Sequence, residues 1–305
     1  MQLPLVNLFS WMKFAQLDLT AGERLLVYRK LAAERWTMKE VFLLESADFA
    51  THFPTLNYAT WHAEELERRC KAAFKRLPRE IEFLPINHAR YPGGIKRLLK
   101  AEAPPLFYLS GHTSLIGTPQ VAVIGRRDTS HGVLQFTRQL GAGLANAGWT
   151  VAAGYENGIA EAALKGTLEA DGTVAAYPAG GLGSFVWKTA LQTYGWQRNH
   201  IAVSPFTPEL SSSDATAARR NRYLAAACKA VILIEDALDS EPEGRQYIHS
   251  IEAARWALEY DVPLFVMHPE VAGYPLPGNE RWLQRGGRVF KTVEEVVAAV
   301  EMYYG

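Results

Sequence analysis

Cysteine is almost absent from this chain: its 305 residues hold only Cys70 and Cys228. They lie far apart in helical-looking sequence. That excludes a disulfide framework and a Cys-x-x-Cys motif, and it suits a reducing compartment, so a cytoplasmic location is expected. Long apolar runs are missing too. No stretch reaches the ~18 residues that span a bilayer. The amino-terminal MQLPLVNLFSWMK has neither a basic leader nor a small-residue cleavage site, so no secretory signal and no membrane partner are expected. Net charge is also lacking, since 32 basic residues balance 32 acidic ones. A histone-like polycation is excluded, and nucleic-acid binding then requires a local patch gathered on one face. The eight histidines are scattered without an HExxH pair, which argues against a metal site. His62 and Glu64 have a deaminase-like spacing, but the cysteine pair that would complete it is missing. No Walker-type loop, G-x-S-x-G elbow or G-x-G-x-x-G occurs. Neither a cofactor nor a catalytic nucleophile is therefore expected.

What is present is an ordinary globular composition, 48% hydrophobic and 21% charged, with enough length for two domains. Residues 1–84 read as helical. LTAGERLLVYRKLAAERW, TMKEVFLLESADFATHF and ATWHAEELERRCKAAFKRL carry apolar residues at three- and four-residue intervals, with polar starts at Thr20, Thr37 and Thr60. Glu40 follows Thr37 at capping-box spacing. Residues 85–305 change texture. IEFLPI and APPLFYLSG read as short strands, and beyond them strands and helices alternate. The expected strands are Val121–Ile124, Thr150–Ala153, Thr173–Tyr177, Ile201–Ser204, Ala230–Ile234 and Leu264–Met267. The expected helices are His131–Ala147, Ile159–Ala170, Phe185–Tyr194, Arg219–Ala227, Ser250–Tyr260 and Thr292–Met302. The fold class is α/β: a doubly wound, mainly parallel Rossmann-like sheet with a small all-helical amino-terminal domain.

The run VAVIGRRDTSHG, Val121 to Gly132, is the most informative stretch: buried strand, phosphate-sized loop, helix. In such a sheet ligands gather at the carboxyl ends of the strands. Four groups are expected there. One is Gly125, Arg126 and Arg127. A second is Gly154, Gly158 and Lys165, after the next strand. A third is Arg219, Arg220, Asn221 and Arg222, at a helix start, and the fourth is Ser250 as a helix cap. Taken singly, each is an ordinary turn, solvated face or cap. Together they offer guanidinium forks, backbone donors and close approach to a phosphate. PAGGLGSF, Pro178 to Phe185, reads better as a structural turn than as a phosphate loop. Three to five neutralised phosphates would give a salt slope of roughly −2 to −4. Aromatic stacking would add to this, with Tyr155, Phe185 and Trp187 as undistinguished candidates. The alternative is a nucleotide-binding sensor or a nucleotide-processing hydrolase, with Glu235 or Glu161 in an acid/base role. A further reading makes this face a protein interface.

These segments, from about Ile81 to Gly287, resemble the DprA/Smf family. VAVIGRRDTSHG is similar to V-A-x-V-G-[ST]-R…YG. AAGYENGIAEAALKGTLEADGTVAAY is similar to S-G-x-A-x-G-I-D-x-x-A-H-x-G-A-L-x-x-x-G-x-T-I-A-V, and ARRNRYLAAACKAVILIED to F-P-x-R-N-R-x-I-x-x-x-S-x-x-x-x-V-V-E-A. RYPGGIKRLLKAEAPPLFYLSG, HSIEAARWALEYDVPLFVMHP and PLPGNERWLQRGG follow the family's remaining motifs in order. The resemblance implies single-stranded DNA binding, DNA processing, uptake or protection in natural transformation, a homodimer, and loading of the RecA recombinase, without turnover. By motif match it assigns the strand-binding pocket to Gly125, Arg127, Gly154, Gly158, Lys165, Arg220, Asn221, Arg222 and Ser250. The chain departs from the pattern at Ala153, Ala160, Leu164 and His249. No winged-helix-like domain follows Thr292–Met302. It reads as a diverged, shortened member whose pocket keeps its cationic half.

Overall fold

Apolar residues alternate along the central strands, and each set meets a different layer. In the computed structural model, which describes residues 5–78, 80–192, 199–236 and 248–304, nine strands form one sheet. They are β1 (Glu82–Pro85), β2 (Leu106–Gly111), β3 (Gln120–Ile124), β4 (Thr150–Gly154), β5 (Val174–Tyr177), β6 (His200–Ser204), β7 (Ala230–Leu233), β8 (Leu264–Met267) and β9 (Arg288–Phe290). Val121 and Val123 of β3 pack with Val133, Leu140 and Leu144 of the helix His131–Asn146 and with Ile159 of the helix Ile159–Glu169. Ala122 and Ile124 face the other way, into the core that holds Leu224 of the helix Asp214–Ala227 and Ala253 of the helix Ile248–Glu259. Both faces are covered, so β3 is buried throughout. Each such Val or Ile contributes about 1.5–3 kcal/mol by burial.

The strand order is β1-β2-β6-β5-β4-β3-β7-β8-β9. The run from β6 to β9 pairs in parallel, and β1 and β2 add an antiparallel edge. The chain steps from β3 through β4 and β5 to β6, then returns to the other side of β3 at β7. That reversal opens a crevice at the carboxyl ends of the strands.

A third core backs the sheet at β2, β5 and β6. Trp11, Phe14, Phe49, Phe53 and Trp61 from the amino-terminal helices share it with Leu106, Tyr108, Ala176 and Ala202. Trp61 lies 5.6 Å from Phe14 and 5.3 Å from Phe49, ring to ring. Capping boxes start the helices Ala21–Glu34 at Thr20 and Met38–Val41 at Thr37.

All six strands expected between Val121 and Met267 form, as β3 to β8. Several details differ from expectation. Thr60 does not start a helix: Asn57 caps Tyr58–Trp61, and the longer helix Glu64–Arg76 begins after Ala63. The third helix group starts at Asp214 rather than Arg219, because Ser213 and Thr216 build a cap there. Of the expected Phe185–Tyr194 helix only Thr189–Gln192 is helical, residues 193–198 lying outside the described set. Earlier in that segment the Lys188 N–H donates to Tyr155 Oη, a side-chain partner in place of a helical carbonyl. β9 was not anticipated, since three residues are too few to show a period. The boundary placed near residue 84 falls within β1. No helix among the described residues is long and apolar enough to cross a membrane.

Candidate nucleic-acid interface

The loop after β3 carries Gly125, Arg126 and Arg127 and ends at Ser130, whose hydroxyl accepts the Val133 N–H and caps the following helix. Arg126 is tied to the far side of the switch point. Its N–H donates to the Glu235 carbonyl at 3.1 Å, and its guanidinium lies 3.4 Å from the Glu235 carboxylate. The loop after β4 passes against this one. Gly158 has φ +82°, and a Cβ there would lie 2.3 Å from the Arg127 carbonyl oxygen. Both the left-handed backbone and the contact call for glycine. A Cβ on Gly154 would collide with the Glu156 carboxylate at 1.9 Å and with Arg220 Nη1 at 2.5 Å.

Arg220 is the buried anchor of the crevice, only 2% exposed. It donates to the Tyr177 carbonyl at the end of β5 (2.5 Å) and to both oxygens of Glu156 (2.5 and 3.3 Å). Burial raises the Glu156 carboxyl. The charge and hydrogen bonds of Arg220, with Arg127 beyond, outweigh that and hold it below the ordinary carboxylate value.

Two connected spaces follow. The inner crevice is lined by Gly125, Arg126, Arg127, Gly154, Glu156, Ala160, Arg220 and Asn221. The outer pocket, about 750 Å³, shares Asn157 with the crevice and adds Tyr155, Gly180, Gly181, Ser184, Phe185 and the run Ser211 to Asp214 at a helix N-terminus. The structure thus brings Gly125, Arg126, Arg127, Gly154, Arg220 and Asn221 together, with Gly158 packed directly beneath the arginine loop.

Other expected residues are placed elsewhere. Arg222 lies two positions from Arg220, and i,i+2 residues do not share a helix face. Its guanidinium pairs with Glu102, donates to Tyr260 Oη at 2.5 Å and stacks 4.3 Å from the Trp256 ring. Arg219 is exposed over the Phe206 ring. Lys165 is half-buried and lies outside both linings, six residues beyond the helix start at Ile159, or about 9 Å along the axis. Ser250 lies inside the helix Ile248–Glu259 rather than at its cap, and its side chain falls outside the described set.

The crevice is charge-balanced. Arg126, Arg127 and Arg220 face Glu156 and Glu235 as ion-pair partners, and Asp128 and Asp214 lie along the outer rim. Arg127 is the most open of the three cations, its side chain 45% exposed. The acid/base candidates are occupied. Glu235 is buried and receives Thr129 Oγ1 and Tyr274 Oη, and Glu161 pairs with Lys188 at 2.7 Å. Neither is among the residues lining the crevice, and Glu235 reaches it only through its pair with Arg126.

Several lining residues were not singled out from sequence. Gly180 and Gly181 come from the segment read as a structural turn. Ser211 to Ser213 carried a helix-cap signal only. Glu156 had none, being one acid in an irregular loop. The aromatic candidates now separate. Trp187 is buried edge-on against His200 at 4.6 Å. Tyr155 is tied down by its hydroxyl. Phe185 is part-exposed on the pocket wall, 4.7 Å from the Tyr155 ring.

A family model described as DNA recombination-mediator protein A matches residues 82–301. The chain is similar to the DNA processing protein DprA of Bacillus subtilis (strain 168), 21% identical over 244 residues, covering 77% of this chain and 79% of that protein. It is also similar to the protein Smf of Escherichia coli (strain K12), 26% identical over 216 residues, covering 70% of this chain and 55% of that one. Among solved structures, DNA processing protein A from Streptococcus pneumoniae matches over 98% of both chains, with a TM-score of 0.72 at 21% identity. DNA processing protein A from Helicobacter pylori, whose structure is described for its single-stranded DNA binding mode, matches over 73% of this chain and 97% of its own, with a TM-score of 0.59 at 23% identity. At these identities the structural likeness speaks for the fold.

Proposed function

The chain belongs to the family of DNA recombination-mediator protein A, and from that membership we propose that it binds single-stranded DNA in the crevice beyond the carboxyl ends of β3, β4 and β5. One observation carries the proposal: Arg127, the most open crevice cation, shares a nucleotide-sized pocket with glycine backbone and a part-exposed aromatic ring. Arg127 and the part-exposed Arg126 take phosphate oxygens. Gly180 and Gly181 let the pocket wall close on residues 207–212, where a Cβ would collide with the Thr207 carbonyl oxygen (1.9 Å) or the Leu210 carbonyl oxygen (2.9 Å). Phe185 offers a face on which a base stacks without regard to sequence. Arg220 and Asn221 hold the floor.

Two part-exposed guanidiniums set the magnitude. Neutralising one or two phosphates on a single strand gives a salt slope of about −0.7 to −1.4. That is shallower than a count of basic residues suggests, because Arg222, Arg219 and Lys165 lie outside the lining. The test is fluorescence anisotropy of a labelled oligothymidylate across a salt series, beside thermal shift with mononucleotides. Salt-dependent oligonucleotide binding that Arg127→Ala weakens is the expected result. Stabilisation by mononucleotides with no oligonucleotide binding would replace the proposal with a small-nucleotide pocket, for which the volume is also adequate.

The finer parts of the proposal follow the family. The protein acts in the cytoplasm as a homodimer, in DNA recombination during natural transformation, and hands its strand to the RecA recombinase. The activity lies in the part expected at residues 85–305, whose sheet begins at Glu82, and the helices that end at Arg76 form a module that backs it. Sedimentation and a RecA strand-loading assay test the assembly and the transfer. A monomer, or no effect on loading, would remove the corresponding part.

A further inference from the structure

Glu156 is an acid in the middle of a surface proposed to attract anions. It lines both the outer pocket and the inner crevice. Its Oε1 receives Arg220 Nη2 at 2.5 Å and lies 3.9 Å from Arg127 Nη2. The Glu156 side chain is 19% exposed, while that of Arg220 is 2% exposed. The carboxylate therefore stands between a buried guanidinium and an open one, reachable from the pocket. A carboxylate there matches a phosphate in sign and in the geometry of its acceptor oxygens. Ala160 lies deeper, beside Arg220 and Asn221 in the inner lining. It is the position at which the motif resembled by this segment has Asp. The counter-charge of the crevice thus sits on the loop and at the mouth, not on the helix and at the floor.

We propose that Glu156 is a specificity-determining residue, a built-in anion that competes with ligand phosphate for Arg127 and limits how many phosphates the crevice neutralises. The inference rests on the DNA-binding proposal above. With Glu156 in place, Arg127 is shared, and a strand gains less from the crevice than its exposed cations suggest. With the charge removed, one further phosphate is accommodated.

Glu156→Gln keeps an acceptor for Arg220 and removes the charge. A second variant, Glu156→Ala/Ala160→Asp, moves the charge to the floor and keeps a carboxylate near Arg220 should the first variant fold poorly. Both are measured with labelled oligothymidylate across a salt series, alongside thermal unfolding. The expected result is binding about fivefold tighter at ~0.1 M salt, with a slope steeper by about 0.7, the signature of one added phosphate. A purely structural role predicts the opposite sign, because a damaged crevice binds more weakly. Folded variants that bind no tighter than the unmodified protein overturn this inference and leave the DNA-binding proposal standing. If the unmodified protein and both variants fail to bind at the lowest salt, the DNA-binding proposal falls and takes this inference with it.

Discussion

The amino-terminal helical layer and the crevice bury polar groups of different kinds, neutral ring donors in one and charges in the other. In the core that the helical layer shares with the sheet, Trp11 Nε1, Trp61 Nε1, Tyr28 Oη and Oη of the β2 residue Tyr108 are buried with no hydrogen-bond partner among the described residues. Burial pushes the Tyr28 and Tyr108 hydroxyls well above their ordinary pKa. This layer coheres by ring-on-ring packing and apolar area. In the crevice the buried charge of Arg220 is met at Nη1 and Nη2 by Glu156 and by a strand-end carbonyl, while its Nε has no hydrogen-bond partner among the described residues. That region coheres through ion pairs. The first kind of core is indifferent to salt and acid, whereas the second responds to both. The proposed binding surface for a charged polymer therefore lies where structure and ligand use the same forces.

The difference can be broken from either side. Trp61→Ala is expected to have the largest effect, a loss of about 3–5 kcal/mol in urea denaturation that barely changes with salt. A small or strongly salt-dependent loss would mean that the helical layer is not packed as described. Arg220→Ala comes next, at about 3 kcal/mol, since it leaves Glu156 largely buried without its partner. Adding Glu156→Gln should recover part of that loss, and strict additivity of the two changes would deny their coupling.

Acid sharpens the contrast. The folded pKa of Glu156 lies below its ordinary value of 4.5. Its ionised form therefore stabilises the fold fully above that value, and the contribution is lost as pH falls below 4.5 through the depressed folded pKa. Thermal unfolding should show an acid-side drop that Glu156→Gln removes and Trp61→Ala retains. If Glu156→Gln keeps the drop, other carboxylates dominate. Thr20→Ala, which removes the capping box of Ala21–Glu34, should cost about 1 kcal/mol without touching DNA affinity. The smallest effect on stability belongs to Arg127→Ala, within about 0.5 kcal/mol as for other open surface positions. Its binding loss should be about fivefold at ~0.1 M salt and uniform across sequences. A loss confined to one sequence would point to base readout instead.

Much of the fold was legible in the sequence because the central strands are short apolar runs with two buried faces, separated by amphipathic helices. β3 to β8 and the helix at His131 follow from that pattern alone. β9 did not show, being only three residues long. The site was legible in part. Gly125, Arg126, Arg127 and Gly154 end consecutive strands of a parallel sheet, and topology obliges such ends to meet. Arg220 and Arg222 group together by closeness in sequence, yet helical phase already sets them on different faces.

Taken alone, the order of residues determined the layer architecture, the crevice position and the family, because periodicity and glycine placement are local properties that survive in one dimension. Which cations remain open, which acid stands beside them, and how much charge the crevice offers were decided only by tertiary packing. Coulomb interactions depend on distances in space, and Glu156 and Arg220 lie 64 residues apart along the chain yet 2.5 Å apart in the folded protein.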